Sequence, residues 1–420
     1  MKIAFIIPWY GKDIPGGAES ECRKTALHLK EYGLDVEILT TCVKDFHSDW
    51  NKNYHKEGAD VVEGITVRRF GVKKRDTKRF DAVNYKLIHT DMRGLKVRRL
   101  SEPSLPPVSK EDEDIYINEM VNSPTLYEYI AKSHSDYDFF IFIPYMFGTT
   151  YFGSLACKDK AVLIPCLHDE SYAYMAIYKE VFNRVRGVIF NSRAEQALAE
   201  RLYGKIINEA LIGIGVDTEF NSDGRRFLDK FSIHSPFILY AGRKDPGKNT
   251  PLLIDYFCRY RDKNRTSPLK LVLMGSGNVS IPGRYKEYIM NMGFMPAQDK
   301  FDAYNAALCL CQPSLNESFS LVMMESWAAG TPALVHAGCE VTRDFCMESS
   351  GGLYFSSFAE FAECLDFMME NPQMRKSMGD NGRRFVRERF AWDVITQKVA
   401  DTLKGWKEDA RGSSPVTAQS

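Results

Sequence analysis

Two glutamates separated by seven residues, Glu317 and Glu325, mark the segment best suited to chemistry. An apolar run at 306–311 predicts a buried parallel strand before them, and residues 323–330 predict a helix that ends at a glycine. Glu317 is expected just before the helix N-terminus and Glu325 about two turns inside. Ligands bind at the carboxyl ends of strands in open α/β sheets, and helix N-termini bind anions. The two carboxylates could hold hydroxyl groups at opposite ends of one phosphorylated ligand; the alternative is a surface loop with two solvated glutamates.

A second polar loop, residues 242–249, follows the apolar run 237–241 and carries two cations, Arg243 and Lys248. Its spacing nearly matches the phosphate-binding loop of nucleotide hydrolases, Gly-x-x-x-x-Gly-Lys-[Ser/Thr]. Asn249 stands where that loop needs a hydroxyl for Mg²⁺, so the match is incomplete. Two cations on a loop after a strand suit the neutralisation of a diphosphate.

Glycines and a histidine follow other predicted strands. Gly16 and Gly17 come between the strand 2–7 and a helix, where glycine lets the backbone approach a ligand closely. An ordinary strand-to-helix turn explains them equally well. His168 follows the buried run 161–165, and its position suits either a hydrogen bond to a ligand or a capping or core role.

Strands and helices alternate along most of the chain. The β-branched strand 2–7, the helix after it and the strand 35–40 predict a βαβ unit. The alternation resumes at 237, after a connector at 211–217. We therefore predict an α/β protein with two domains, 1–215 and 216–388, a final helix at 389–410 and a disordered tail at 411–420.

Composition excludes several classes of function. The 420 residues are 44% hydrophobic, which supports two or three domains with large cores, and the formal net charge of +0 gives no field that would attract nucleic acid. Ten cysteines without a Cys-x-x-Cys pair suit a reducing cytoplasm. The apolar run at the N-terminus is too short for a signal peptide, and no run approaches transmembrane length. We predict a cytoplasmic location, with any membrane role peripheral.

Residues 45–125 are predicted to form an irregular insertion with a basic stretch at 67–99, in which Phe70, Phe80, Tyr85 and Leu95 are interleaved. This stretch suits either a solvated face or docking to anionic lipid or to a phosphate-bearing acceptor. Its basic residues are Arg68, Arg69, Lys73, Lys74, Arg75, Lys78, Arg79, Lys86, Arg93, Lys96, Arg98 and Arg99.

The acidic string Asp112-Glu113-Asp114 lies farther along the same insertion. It resembles an Asp-x-Asp metal signature, but no apolar strand precedes it. We therefore predict a solvated acidic run.

In chain order, these motifs resemble the retaining nucleotide-sugar glycosyltransferases of glycosyltransferase family 4. Glu317 and Glu325 match the family's Glu-x7-Glu pair, and Arg243 and Lys248, on the loop that begins at Gly242, match its diphosphate-binding cations. The resemblance implies the GT-B fold: two facing Rossmann-like domains, with a C-terminal helix that crosses back to the first domain.

Weaker matches fall on three other loops. Gly293-Phe294-Met295 resembles the turn whose backbone reads the nucleobase, and Gly16-Gly17 resembles the glycine loop that faces the sugar and diphosphate. His168 is similar to the family's sugar-contacting histidine.

The resemblance also implies roles for the site residues. Glu317 would hold sugar hydroxyls and Glu325 the ribose, while Arg243 and Lys248 would stabilise the departing diphosphate without a bound metal or cofactor. The family expectation is a front-face reaction that keeps the anomeric configuration. The helix amides implied in diphosphate stabilisation are those near Phe319, Ser320 and Leu321.

Some residues depart from the family pattern. Ser318 and Ser320 flank Phe319 where the family often has glycines, and residues 212–214 replace a usual Pro-Asn-Gly connector. Strings around 339–341 and 351–354 are similar to those of bacterial surface-polysaccharide transferases and favour mannose.

The predicted activity is therefore transfer of a hexose from a GDP- or UDP-sugar to a glycan or lipid-linked acceptor in the synthesis of surface polysaccharide or glycoconjugate. A sugar-nucleotide epimerase of the same fold and a phosphate-binding-loop hydrolase are the alternative enzymes. A degenerate binding protein would require lost site residues, whereas both glutamates and both cations are present.

Overall fold

The computed structural model describes residues 1–412 and divides into two compact units. The first comprises Met1–Gly215 together with the chain from Ile395 onward, and the second comprises Val216–Val394. Each unit contains one sheet, and the predicted fold class, α/β with two Rossmann-like domains, is confirmed.

An eight-stranded sheet forms the centre of the first unit, in the order β3-β4-β2-β1-β5-β6-β7-β8. All neighbouring strands are parallel except β3, which runs antiparallel to β4. The strands are β1 (Lys2–Ile7), β2 (Asp35–Thr41), β3 (Gly58–Val62), β4 (Ile65–Phe70), β5 (Phe139–Phe142), β6 (Ala161–Leu163), β7 (Gly187–Phe190) and β8 (Glu209–Leu211). The helices are α1 (Gly17–Glu31), α2 (Thr77–Ile88), α3 (Met92–Arg98), α4 (Lys110–Asn118), α5 (Pro124–Lys132), α6 (Gly148–Ala156), α7 (Ile177–Arg184) and α8 (Arg193–Tyr203).

A six-stranded parallel sheet forms the centre of the second unit, in the order β11-β10-β9-β12-β13-β14. The strands are β9 (Phe237–Ala241), β10 (Lys270–Met274), β11 (Ile289–Gly293), β12 (Cys309–Gln312), β13 (Ala333–His336) and β14 (Gly352–Phe355). The helices are α9 (Gly224–Phe231), α10 (Thr250–Lys263), α11 (Ala297–Ala306), α12 (Leu321–Ala328), α13 (Glu340–Ser349), α14 (Phe358–Glu370) and α15 (Pro372–Phe390), and α16 (Trp392–Gly412) ends the described chain.

The central strands are apolar because helices cover both faces of a parallel sheet. Residues 3–7 of β1, all of β5 and all of β9 are buried. Because these strands are buried along their length, polar side chains that bind a ligand are expected in the loops at the carboxyl ends of the strands.

The predicted irregular insertion at 45–125 is wrong. It contains the hairpin β3–β4, whose turn places Glu63 and Gly64 at φ 49° and 82°, and the helices α2, α3 and α4. Strand β4 extends the sheet by pairing with β2. The arginines of β4 concealed its alternation, in which Ile65 and Val67 are buried.

At least nine of the twelve basic side chains in this region contact partners inside the first unit, so the predicted charged face is smaller than the sequence indicated. Phe80 and Leu95, predicted to be interleaved with the charges, are buried. The internal partners are as follows: Arg68 with Glu37, Arg69 with the Tyr10 carbonyl, Lys74 with the Asn51 carbonyl, Arg75 over the Trp50 and Phe80 rings, Arg79 with Glu119, Lys86 with Asp112, Lys96 with Asp169, Arg98 with the Gly94 carbonyl, and Arg99 with the Leu105 carbonyl.

The prediction of a solvated acidic run is also wrong for its central residue. Glu113 is 2% exposed, and its carboxylate accepts hydrogen bonds from the Ala176 and Ile177 amides at 2.7 and 3.2 Å. Those amides lie at the start of α7, so Glu113 satisfies donors that a helix N-terminus leaves unpaired. Asp112 pairs with Lys86 at 2.8 Å.

From Ile395 onward, the last helix α16 belongs to the first unit and contacts its other elements. Arg186 donates to the Trp406 carbonyl at 2.6 Å, and Lys407 pairs with Asp138 at 2.7 Å. The helix continues to Gly412, so the first two residues of the predicted tail are helical, and residues 413–420 lie outside the described part. None of the helices within residues 1–412 is long and apolar enough to span a membrane.

Candidate active site

The loops after β9 and β12 bring together two of the predicted site residues, Lys248 and Glu317. The Lys248 ammonium lies 2.8 Å from Glu317 Oε1, and the Gln312 side-chain amide donates to the same oxygen at 3.0 Å. The Glu317 side chain is 9% exposed and that of Lys248 25%. A nearly buried carboxylate with a cation and an amide on one oxygen is held in a fixed orientation.

Backbone turns fix the position of Lys248. Asp245 accepts from the Lys248 amide at 3.0 Å, at the start of a 3-10 turn over Pro246–Lys248. Asn249 has φ 57°, and its side-chain amide donates to the Pro313 carbonyl at 3.0 Å. Asn249 therefore joins the loop after β9 to the loop after β12, which is a structural role.

Arg243, the other predicted cation, lies on the same loop but pairs elsewhere. Its guanidinium pairs with Asp245, and its side chain is 52% exposed. Its carbonyl accepts from the Tyr240 hydroxyl at 2.6 Å, which anchors the backbone at the end of β9. The structure therefore leaves Arg243 on the rim while Lys248 contacts Glu317.

Glycines allow three loops to meet at the carboxyl edge of the second sheet. Gly275 has φ +118°, and a Cβ there would lie 1.9 Å from the Gly242 carbonyl oxygen. The Gly275 amide donates to the Gly293 carbonyl at 2.7 Å. Gly242 and the turn that begins at Gly293 therefore occupy neighbouring positions, and Phe294, which follows, is 80% exposed. Met295 lies next to it and is half-buried.

The start of α12 has the features of an anion site. Ser320 occupies the N-cap position of the helix with φ 74°, a backbone conformation that residues other than glycine rarely adopt. Among residues 1–412, the buried oxygens Gln312 Oε1, Ser314 Oγ and Ser320 Oγ have no hydrogen-bond partner. Buried polar atoms are normally paired, so these oxygens mark a place where the fold leaves polar groups without partners.

Phe319 and Leu321 flank this helix start. The Phe319 ring is 1% exposed and packs edge-on against Phe345 and Phe390, with centroids 5.5 and 5.0 Å away. Its side chain is therefore part of the core, and only the backbone of Phe319 could contact a ligand. Leu321 is the first residue of α12, where helix amides lack internal partners.

Glu325 is the fifth residue of α12, little more than one turn inside rather than the predicted two. Both of its carboxylate oxygens lie 2.8 Å from the Lys300 ammonium, and the Tyr304 hydroxyl donates to Oε2 at 3.0 Å. Sequence reasoning missed Lys300 and Tyr304. Their one signal was a spacing of four residues on a predicted helix, which places them on one face.

The glycine loop of the first unit lies at the start of α1. Gly16 caps the helix at φ +146°, and a Cβ there would lie 1.9 Å from Glu19 Oε2. The Trp9 indole donates to Glu19 at 2.6 Å. Gly17 is the first residue of α1 and has open space around the position of a Cβ.

His168 lies in the loop after β6, where the sequence predicted it. Its ring nitrogen Nδ1 is 3.5 Å from Glu170, and its side chain is 30% exposed. The adjacent Leu167 backbone amide donates to one oxygen of the buried Glu195 carboxyl group at 2.6 Å, and the Asn191 backbone amide donates to the other oxygen at 2.6 Å. Glu195 therefore holds the loops after β6 and β7 together and fixes the backbone beside His168.

A second buried carboxyl, Glu21, packs against the same loops. It accepts from the Asn191 side chain at 3.3 Å and the Cys166 thiol at 3.4 Å. Burial raises the pKa of Glu21 to about 8, and burial likewise raises the pKa of Glu195 to about 8. Both groups are neutral acids through much of the range in which unfolded glutamate is ionised.

We expect this unit to lose stability as the pH rises from 5 to 8.5. Between the unfolded and folded pKa of Glu21 the folded state binds more protons, so stability falls with pH in that window. Glu21→Gln should flatten the decline in melting temperature, while Glu128→Gln, an exposed change on α5, should leave it unaltered. Thermal melts across this range measure the effect, and parallel curves for wild type and Glu21→Gln would refute it.

Comparison with known proteins identifies the second unit. Residues 229–385 match the family model described as Glycosyl transferases group 1. The second unit carries a glycosyl transferases group 1 domain. The match confirms the resemblance predicted from the sequence.

Curated relatives of this chain align over part of its length. A D-inositol 3-phosphate glycosyltransferase from Corynebacterium aurimucosum is 26% identical over 232 residues, which cover 50% of this chain and 55% of the relative. One from Streptomyces bingchenggensis is 30% identical over 182 residues, 39% of each chain. The chain spans about half the length of the curated relatives that it matches first.

Solved structures align over nearly the whole chain and establish the GT-B fold. Sucrose-phosphate synthase from Thermosynechococcus elongatus gives a TM-score of 0.68 at 15% identity, over 98% of this chain and 100% of that one. Anabaena HepE in complex with UDP-glucose gives 0.66 at 17% identity, over 96% and 100%. WaaG, a glycosyltransferase involved in lipopolysaccharide biosynthesis, gives 0.64 at 14% identity, over 96% and 100%.

Proposed function

We propose that this protein is a retaining glycosyltransferase that moves a hexose from a nucleoside-diphosphate sugar to a glycan or lipid-linked acceptor. The observation that carries the proposal is the contact of Lys248 with Glu317, 2.8 Å long, beside the N-terminus of α12. A cation, a carboxylate and helix amides then surround one point at the carboxyl end of β12, which suits a sugar joined to a diphosphate.

Negative charge builds on the leaving diphosphate in the transition state, so fixed donors at that point lower the barrier most. In the proposal, Lys248 and the amides at Ser320 and Leu321 neutralise this charge, with Arg243 at the rim. No bound metal is then required. Glu317 orients the sugar hydroxyls, and Glu325 binds the ribose.

For the donor, we propose a GDP- or UDP-hexose. A structural neighbour was solved in complex with UDP-glucose. The strings around 339–341 and 351–354, which favour mannose, also support a hexose. For the acceptor, the names of the curated relatives support an acceptor that carries a phosphate, and WaaG supports a lipid-linked glycan.

The experiment is a nucleotide-release assay with UDP- and GDP-hexoses, run with and without candidate acceptors, together with NMR of the sugar product. The proposal expects nucleotide release that depends on an acceptor and a product with the donor's anomeric configuration. Release of a free epimerised sugar without an acceptor would identify an epimerase and reject the proposal.

We also propose that the protein docks on anionic lipid, at the cytoplasmic face of a membrane, through α3 and the residues after it. This region exposes Val97 by 66% and Leu100 by 84%, next to the exposed Arg93 and Arg98. Exposed apolar side chains beside cations suit insertion at a charged lipid surface. The ten free cysteines suit the reducing cytoplasm on that side.

We expect wild-type protein to float with phosphatidylserine vesicles at low salt and to dissociate as salt rises. The double variant V97E/L100E should lose the association. The control I207E changes an apolar residue of the same unit that is 88% exposed, and it should float as wild type does. Equal flotation of all three proteins, or none by the wild type, would reject this surface.

A further inference from the structure

An arginine in the loop after β4 has a guanidinium without a polar partner. The guanidinium carbon of Arg75 lies 4.8 Å from the ring centroid of Trp50 and 4.3 Å from that of Phe80. Its Nε and Nη2 atoms are buried and unpaired, whereas Nη1 is not among the buried atoms. In the described part of the chain, this guanidinium makes no hydrogen bond and no ion pair. A ligand can therefore reach an unpaired cation through Nη1.

Other half-buried arginines of the protein do find partners. Arg186 and Arg261 also leave Nε unpaired, but Arg186 donates to a backbone carbonyl at 2.6 Å and Arg261 donates to two carbonyls. Burial lowers the pKa of Arg75, and carboxylates beyond ion-pair distance raise it only in part. These carboxylates belong to Asp49, Asp81 and Glu119. Arg75 has therefore lost solvation without gaining the partner that an anionic ligand would supply.

An aromatic surface continues from Arg75 along the segment after β2. Trp50 is half-buried, and its ring centroid lies 5.7 Å from that of Phe46, which is 48% exposed. The rings of Trp9 and Phe147 support Trp50, with centroids 5.8 and 6.2 Å away. These residues follow β1, β2, β4 and β5, which are neighbours in the sheet. They therefore lie at the carboxyl edge, where α/β sheets bind ligands.

Hydrogen bonds join the segment of Trp50 to the loop of Arg75. The Asn51 side-chain oxygen accepts from the Arg75 backbone amide at 2.8 Å, and the Asn51 side-chain amide donates to the Thr77 hydroxyl at 3.2 Å. The Asn51 carbonyl accepts from the Lys74 ammonium at 3.2 Å. The cation and the aromatic surface are therefore held together before any ligand binds, which lowers the entropic cost of binding.

We propose that Arg75, Trp50 and Phe46 bind an anionic sugar, the acidic unit of the acceptor; the assignment to the acceptor rests on the proposed function. A guanidinium suits a carboxylate and a phosphate alike. The apolar face of the sugar ring packs on the exposed Phe46 ring and buries surface from water. Arg75 is then the residue that selects an acceptor with a negative charge.

Ligand-observed NMR titrations of the wild type with glucuronate, glucose 6-phosphate, glucose and inorganic phosphate test the site. We expect one anionic sugar to bind about tenfold more tightly than glucose, the worth of a charged hydrogen bond. Whether glucuronate or glucose 6-phosphate binds identifies the anion as a carboxylate or a phosphate. Inorganic phosphate should bind more weakly, because it has no ring to pack on Phe46. Equal binding of glucose and the anionic sugars, or binding of inorganic phosphate as tight as that of glucose 6-phosphate, would overturn the inference.

Variants assign the binding to these residues. Arg75→Gln should weaken binding of the anionic sugar about tenfold. Phe46→Ala should weaken it several-fold, and because Phe46 is exposed this variant tests the site even where Arg75→Gln lowers the melting temperature. Two controls should match wild type. Arg259→Gln removes an arginine that packs over two rings of the second unit, at 4.0 and 5.5 Å, and Tyr32→Ala removes an aromatic side chain of the first unit that is 53% exposed.

Calorimetry with UDP and GDP separates this inference from the function on which it rests. We expect Arg75→Gln to bind the nucleotide as the wild type does, because the proposed diphosphate site lies in the second unit. Equal binding of the anionic sugar by wild type, Arg75→Gln and Phe46→Ala would overturn the inference alone. Failure of the wild type to bind any nucleoside diphosphate would overturn the proposed function, and with it the role of the anionic sugar as acceptor.

Discussion

Lys248→Ala is expected to lower kcat/KM for sugar transfer by about 100- to 1,000-fold, the usual cost of removing one preorganised donor to a developing negative charge. The Lys248 ammonium lies 2.8 Å from Glu317. Asp245 fixes the turn that carries Lys248 by accepting a hydrogen bond from its backbone amide. The truncated side chain leaves the Glu317 carboxylate with the Gln312 amide and without its cation. Steady-state kinetics with the preferred donor measure the loss.

Glu317→Ala should cause a comparable loss, and the two losses should not add. Lys248 and Glu317 contact each other, and residues in contact couple in double-mutant cycles. We expect the variant K248A/E317A to transfer sugar little more slowly than either single variant. Lys230→Ala, which removes an ion pair with Asp299 in the same unit, should retain activity. Transfer at the wild-type rate in either single variant would remove Lys248 and Glu317 from the site.

Trp327→Ala should destabilise the second unit by about 4 kcal/mol, within the usual range for a buried tryptophan. Trp327 is fully buried, donates to the Gly351 carbonyl at 2.8 Å, and packs edge-on against Phe385 with centroids 5.8 Å apart. Gly382 lies so close to the ring that a Cβ there would be 2.4 Å from it. The truncation therefore removes a large side chain from α12 where α15 packs closely against it.

Thermal melts measure this effect, and we expect the melting temperature of Trp327→Ala to fall by about 10 °C. Met374→Ala is the control, because Met374 lies on α15 and is 53% exposed. A fall in Trp327→Ala no larger than in the control would contradict the packing described for α12.

The fold could be predicted where apolar runs and glycines mark the elements. The strand before Glu317 and the helix after it follow from apolar residues and from Gly330, which ends the helix at φ +82°. The hairpin β3–β4 could not be predicted in this way, because the two arginines of β4 find their partners far away in the sequence. Arg68 pairs with Glu37, which lies 31 residues away on a neighbouring strand.

The candidate site was also predictable only in part, because some of its contacts join residues that are far apart in the sequence. Glu317 and Lys248 carried motif spacing, but the pairing of Lys300 with Glu325 depends on how two helices pack, which no local pattern encodes. The conformation of Ser320 shows the opposite case: the sequence has serine where the family often has glycine, and the backbone still adopts a left-handed φ of 74°. The strain of that conformation is held by the surrounding fold.

The most direct test of the proposed account is calorimetric titration of the wild-type protein and Lys248→Ala with UDP and GDP in the presence of EDTA. The account predicts that the wild type binds one of these nucleotides without a divalent cation and that Lys248→Ala loses most of that affinity. Equal binding by both proteins, or binding that requires Mg²⁺, would contradict a diphosphate site built on Lys248.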